Sequence, residues 1–324
     1  MTFVQRLISV SVQLAQNTQT NQPSTFSESG TNTVNLTGSR VSVQIENSGA
    51  PADSNARVKI WGLTPSIMNQ LSTLGLVFNL VPKNTLTISA GDAVAGQAIV
   101  FSGTIWSAYG DYSAQPDVPF IFDCIAGAAD ATIAIPASSF SGSQQVSNMM
   151  SGFARAMNLG FENNGVSSTL SNAYFSGSAR SQADKCAKAA GISWGIIKGN
   201  TLSIWPLGGN RNTPNIPVIS AATGMISYPA FTQQGIIVKT LFNPQLSFGS
   251  LVQVNSSLLA GIASAQPSQQ SSLSPGNAPS TFPSQWAVNK LDLMLDSLVP
   301  KGQWMSVVYA YNPGYAKTII PPSS

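Results

Sequence analysis

The chain has 324 residues, 43% of them hydrophobic, which is enough for a sizeable core and about two domains of ordinary size. Only 8% are charged, against about 25% in a typical globular protein, and Ser, Thr, Asn and Gln fill the polar positions instead. A net charge of +3, without any Lys/Arg run, is too small to imply a nucleic-acid footprint. No apolar run approaches the ~20 residues that span a bilayer, so a soluble protein is expected.

Ile8, Val10, Val12 and Leu14 alternate with Ser9, Ser11 and Gln13, which predicts a strand where a secretory leader would show a solid apolar block. The same period recurs at Val41, Val43 and Ile45, and at Val58 and Ile60. Further strands are predicted over 86–90, 98–105 and 118–125, with a tight break at Gly91-Asp92. One helix interrupts them: Thr64 is its N-cap, Pro65 its first residue, Ile67, Met68, Leu71 and Leu74 its apolar face, and Gly75 its end.

From about 126 to 222 the pattern changes. Val146, Met149, Met150, Phe153 and Met157 recur at helical spacing over 144–158, a stripe suited to core packing. A second helix is predicted over 182–190, with Ser181 and Asp184 as a capping box and Gly191 as its stop. A hairpin over 193–197 and 201–205 follows, turning at Lys198-Gly199-Asn200. The segment 264–285 is low-complexity, rich in Ser, Pro and Gln, and is expected to be a long exposed loop. The chain ends in a predicted hairpin over 286–298 and 303–311, across Pro300-Lys301-Gly302.

Chemistry is sparse. The chain contains no histidine, which removes the commonest general base, the commonest metal ligand and every Ser-His or Cys-His dyad. Gly191-Ile192-Ser193-Trp194-Gly195 matches the G-x-S-x-G elbow of hydrolases, but here a helix precedes it and a strand follows, the reverse of what an elbow requires. The carboxylates Asp53, Asp92, Asp111 and Asp117 sit in predicted turns or on strand faces. Asp292 and Asp296 share one face of a strand, an arrangement suited to solvent or to a neighbour's lysine. Cys124 and Cys186 have neither metal spacing nor a disulfide framework. No catalytic, cofactor-binding or metal-binding residue is nominated, no cofactor is expected, and the chain is read as a non-enzyme with its subunit-interface residues unassigned.

The stretch 223–254, TGMISYPAFTQQGIIVKTLFNPQLSFGSLVQV, resembles the start of the second barrel domain in baseplate hub proteins of contractile-tailed phages, through Gly224, Pro229, Gly235, Leu241, Asn243, Pro244 and Gly249. Leu63-Thr64-Pro65, Ala90-Gly91 and Phe101-Ser102-Gly103 repeat the order of motifs in that family's first barrel, and the helix, Trp-bearing hairpin and Pro resemble its middle module. The resemblance is to the Mu-like and T-even-like hubs, related to the N-terminal module of type VI secretion spike proteins. It implies a mainly β, α+β fold: two small antiparallel tube-like β-barrel domains, 1–126 and 217–324, flanking a helix-plus-hairpin module, 127–216. It further implies a homotrimer that joins a sixfold tail tube to a threefold central spike and nucleates tail assembly. The implied partners are the tube or tube-initiator protein, a separate spike chain and baseplate wedge proteins. DNA would only pass through the channel, and this chain would insert into no membrane. The implied location is the virion baseplate, after folding in the host bacterial cytoplasm. The chain departs from the family pattern in lacking a His in its final strands and in the length of 264–285. Two other readings are a tail-tip hub of a noncontractile long-tailed phage and a secreted carbohydrate-binding or carbohydrate-active β protein.

Overall fold

A computed structural model describes residues 4–15, 24–49, 54–73, 83–127, 135–232, 235–256 and 285–313. In chain order the first part comprises β1 (Arg6–Gln13), β2 (Thr33–Leu36), β3 (Val41–Ser48), β4 (Asn55–Trp61), α1 (Pro65–Leu71), β5 (Thr85–Asp92), β6 (Gly96–Gly110) and β7 (Pro119–Ile125). The middle comprises β8 (Ser138–Ser139), β9 (Ser143–Gln145), α2 (Val146–Ala156), β10 (Gly160–Asn163), β11 (Thr169–Ser171), β12 (Tyr174–Phe175), α3 (Ala179–Ala190), β13 (Ile192–Ile197) and β14 (Thr201–Pro206). The last part comprises β15 (Val218–Ile219), β16 (Ala230–Thr232), β17 (Gly235–Leu241), β18 (Leu251–Val254), β19 (Gln285–Ser297) and β20 (Trp304–Tyr311).

The protein is α+β and dominated by antiparallel sheets, but the two expected tube-like barrels are not formed: among the described residues no sheet closes on itself. Strands of the first and last parts share one 13-stranded sheet, whose main path runs β16-β17-β20-β19-β3-β4-β7-β6-β5-β1-β2. Closing the first set of strands would require β3 to pair with β2 at the other end of that set. The edge of β3 is instead occupied by β19, in an antiparallel register that runs from Val41↔Ser297 to Ser48↔Lys290. This seam joins the two halves of the molecule.

The alternation seen in the sequence explains which side of the sheet is buried. Val41, Val43 and Ile45 of β3 face Val58 and Ile60 of β4 and Leu291, Leu293 and Leu295 of β19 in one apolar core that spans the seam. The Met stripe of α2 builds a second core with Cys186 of α3 and Trp194, Leu202 and Ile204 of the β13–β14 hairpin.

Local signals mostly held, with shifts at element ends. Thr64 caps α1, its Oγ1 accepting from Ile67 N at 3.3 Å with Pro65 at the first position. The helix stops at Leu71, because Ser72 turns extended and Thr73 bonds to Ala108 of β6; Leu74 and Gly75 lie outside the described residues. The break expected at Gly91-Asp92 falls later. Both residues belong to β5, and Asp92 Oδ1 accepts from Val94 N and Ala95 N to make the turn. The α3 cap is Ser178, not Ser181: its Oγ accepts from Ser181 N, so the helix begins at Ala179, and Asp184 pairs instead with Lys188 one turn on at 2.6 Å. Gly191 closes that helix in the left-handed conformation. Of the low-complexity segment 264–285, only Gln285, the first residue of β19, is described.

Candidate functional site

Two features are built around the seam: an outer sheet face and a clamp that fixes the middle insert. Residues paired across neighbouring strands share a face, so the register assigns the outer face directly. One cross-strand row runs Leu241, Met305, Met294, Gln44, Arg57, Asp123, Ser107. The next runs Lys239, Val307, Asp292, Glu46, Asn55, Ile125, Thr104. Each row crosses seven strands from β17 to β6, a span of roughly 29 Å at about 4.8 Å per strand.

The seam sits in the middle of this face. Asp292 and Glu46 lie directly opposite each other across it. Lys290 joins them, with Nζ 3.2 Å from Asp292 Oδ1 and 3.7 Å from Glu46 Oε2, and its ammonium lies 5.4 Å from the Tyr309 ring. Burial raises the Asp292 pKa, and Lys290 only partly offsets it. Burial alone would lower Lys290, but its bond to Asp292 and the charges of Asp292 and Glu46 outweigh that and raise it. Further along, Arg57 grips Asp123 with two parallel hydrogen bonds, Nε to Oδ1 at 2.6 Å and Nη2 to Oδ2 at 3.2 Å, which hold the guanidinium charged.

The clamp joins the segment that carried the family resemblance to the middle part of the chain. Gly224 O accepts from Leu241 N at 2.8 Å and from Thr240 Oγ1 at 3.1 Å, tying the start of the motif to β17. Asn243 Oδ1 accepts from Gln245 N at 2.9 Å, turning the chain out of β17. The turn presents Phe248, whose ring stands edge-on to Trp205 of β14 at 5.5 Å. Space for that ring exists because Gly49, after β3, and Gly195, in β13, lack a Cβ; one added at either position would meet it. Gly249 has φ +77°, a conformation that disfavours side chains, and a Cβ there would press on Arg211.

Arg211 is the centre of the clamp, with a side chain only 10% exposed. Its Nη2 pairs with Glu162 Oε2 of β10 at 2.8 Å, and its Nε donates to Ser203 Oγ of β14 at 3.1 Å. Its Nη1 donates to Ser247 Oγ at 3.2 Å and to Phe248 O at 3.3 Å, and its backbone N donates to Gly249 O at 2.7 Å. One guanidinium thus binds the insert to the motif turn. Gly249 N donates in turn to Val288 O of β19 at 2.9 Å, and Tyr311 OH of β20 donates to Gly209 O at 2.6 Å. Sequence reading missed Arg211 and Phe248, because most of their partners lie tens of residues away in the chain; the flanking Gly249 was the one visible trace.

The residues singled out for chemistry are scattered. Gly191 is a helix end, and Ser193 is a strand residue opposite Trp205, so no nucleophile elbow exists. Asp92 and Asp111 accept backbone N–H groups in turns, Asp117 lies 3.7 Å from Arg40, and Asp53 is outside the described residues. Asp292 meets Lys290 of its own strand, and Asp296 Oδ2 accepts from Gln303 N at 2.7 Å to close the β19–β20 turn. Cys124 and Cys186 are free and buried; burial pushes both thiols up, Cys186 to about 12. Among the described residues no group of three or more His, Cys, Asp or Glu could hold a metal ion, and no helix is long and apolar enough to cross a membrane.

A family model described as "Baseplate hub gp41" matches residues 23–264, well over half of the chain. None of the curated proteins matches the sequence significantly. Among solved structures, the 43 kDa tail protein of prophage MuSo2 from Shewanella oneidensis is similar in fold, with a TM-score of 0.57 at 9% identity over 94% of this chain and 98% of that one. The tail protein from Neisseria meningitidis MC58 gives a TM-score of 0.57 at 9% identity over 95% and 97%. The E. coli c3393 protein, a component of the type VI secretion system with structural similarity to the T4 tail proteins gp27 and gp5, gives 0.51 at 9% identity over 85% and 74%. At such identities these structures speak to the fold alone. The family match speaks to identity: the chain belongs to the baseplate hub gp41 family, and is a structural protein of the phage tail baseplate, not an enzyme.

Proposed function

We propose that this hub subunit forms a homotrimer that joins the sixfold tail tube to a threefold central spike and nucleates tube assembly. The observation that carries the reading is the seam: one chain supplies two sets of strands joined edge to edge into a single continuous face. Three such chains would offer six strand sets to a sixfold tube while keeping true threefold symmetry for the spike. Partners on this reading are the tube or tube-initiator protein, the central spike protein and the baseplate wedge proteins, with DNA passing through the central channel. A chain with only 8% charged residues suits this role, because grip on DNA comes from phosphate neutralisation.

The test is the native mass by light scattering, for the chain alone and co-expressed with its spike. A species at three times 33.8 kDa supports the reading. A chain that stays monomeric in the presence of the spike overturns it.

A further inference from the structure

We propose that the cavity where the seam, the motif turn and the β13–β14 hairpin meet binds one small inorganic anion such as chloride. The cavity has about 20 Å³ of room, and its apolar wall is made by Leu246 of the motif turn and by Leu291 and Leu293 of β19. Roughly 10–15 Å³ suffices for a single water, so this space takes one guest of that order of size and excludes phosphate or an organic acid.

The polar lining supplies donors and no carboxylate. Lys198 stands at the hairpin tip, half-buried, and makes no ion pair or hydrogen bond among the described residues. The tip is held in place, since Gly199 lies so close to β6 that a Cβ there would meet the carbonyl oxygen of Ser102. Asn47 continues the inner face of β3 after Val41, Val43 and Ile45, where a period of two calls for an apolar side chain. It lies opposite Leu291 across the seam, and its amide has no partner among the described residues. Asn243 uses its carbonyl oxygen on Gln245 N, which leaves its NH2 group to donate. Ser247 Oγ accepts from Arg211 Nη1, which leaves its own proton to donate.

A charge beside apolar walls is costly unless a counter-charge meets it. The charge felt by Lys198 is that of Arg211, of the same sign, and burial together with that repulsion lowers the lysine's pKa. An anion in the cavity supplies the counter-charge and accepts from the amides and the hydroxyl at once. A water would meet the hydrogen bonds and leave the charge unmet, and a metal cation would find no carboxylate in the lining. Because the cavity is walled by the seam, the hairpin and the motif turn together, an ion there fastens all three at a second point beside the Arg211 clamp.

The experiment is urea unfolding of the full chain at constant ionic strength, with sodium gluconate, whose anion is too large for the cavity, replaced stepwise by sodium chloride. The wild-type midpoint should rise with chloride, because a ligand held by the folded state alone stabilises it by mass action. Lys198→Met should remove the rise, whatever it does to the midpoint itself. Crystals grown in sodium bromide should show an anomalous peak in the cavity. Asp53 precedes Ser54 of the cavity wall in the sequence, and Asp53→Asn should keep the wild-type chloride response. A flat wild-type response, a rise that survives in Lys198→Met, or a cavity without bromide overturns the site. A response that appears only in Asp53→Asn assigns the lysine to that carboxylate and equally overturns it.

Discussion

Arg211→Met removes the guanidinium but keeps a long apolar stem. The side chain makes four hydrogen bonds, to Glu162, Ser203, Ser247 and Phe248 O, and lies 10% exposed. Losing one partner of a buried ion pair costs about 3–5 kcal/mol, mostly because the other charge is left desolvated. Glu162 is 33% exposed and regains some water, so the low end applies, about 3 kcal/mol. Ser203 keeps the bond from Asn164 Nδ2 at 2.9 Å, so it is not left orphaned. Glu162→Gln retains an acceptor and loses only the charge, for about 1 kcal/mol. In the double variant no charge is buried, so its cost should fall short of the sum by about 1–2 kcal/mol. The assay is urea unfolding followed by near-UV circular dichroism, since buried Trp205 lies beside the clamp and reports its packing. Exposed Arg155→Met serves as control, with a change within about 0.5 kcal/mol. If Arg211→Met behaves like that control, or if the two clamp variants add without coupling, the clamp argument is wrong.

Phe248→Ala should cost about 2 kcal/mol, less than a fully buried ring because Phe248 is only partly buried, and differential hydrogen exchange should show the β13–β14 hairpin loosening first. Lys290→Met should destabilise the seam by about 1–2 kcal/mol at neutral pH, because Asp292 and Glu46 then face each other uncompensated. The pH dependence of that loss has a definite sign. The folded-state pKa of Asp292 is raised, so folding gains stability as pH falls through that raised value, in full below the ordinary aspartate value of about 4. The variant should therefore recover part of its loss on acidification, as read from urea midpoints, and Lys290→Met/Asp292→Asn should not; a loss independent of pH refutes this account. A thiol reagent should label neither Cys124 nor Cys186 in the native protein and both in urea, because burial raises both thiols; rapid native labelling would contradict their placement.

Amino-acid sequence alone determined what depends on neighbours along the chain. The alternation at Ile8–Leu14 and Val41–Ile45 set strand faces, Thr64-Pro65 set a helix start, and the Met stripe of α2 set a buried helix face. The Gly and Pro spacing over 224–249 identified the family, because those positions are fixed by turns and close approaches that tolerate few other residues. Tertiary structure alone decided which edges meet. A period of two encodes the face a residue takes and says nothing of the strand beside it. The pairing of β3 with β19 therefore turned two expected barrels into one open sheet. It also placed Asp292 opposite Glu46, close enough to share Lys290. The start of α3 was decided by which of two nearby serines could reach a free N–H, a matter of backbone geometry, and Ser178 rather than Ser181 met it. Arg211 became a clamp because folding brought β10, β14 and the motif turn within reach of one guanidinium, and hydrogen bonds over such sequence separations leave no local pattern to read.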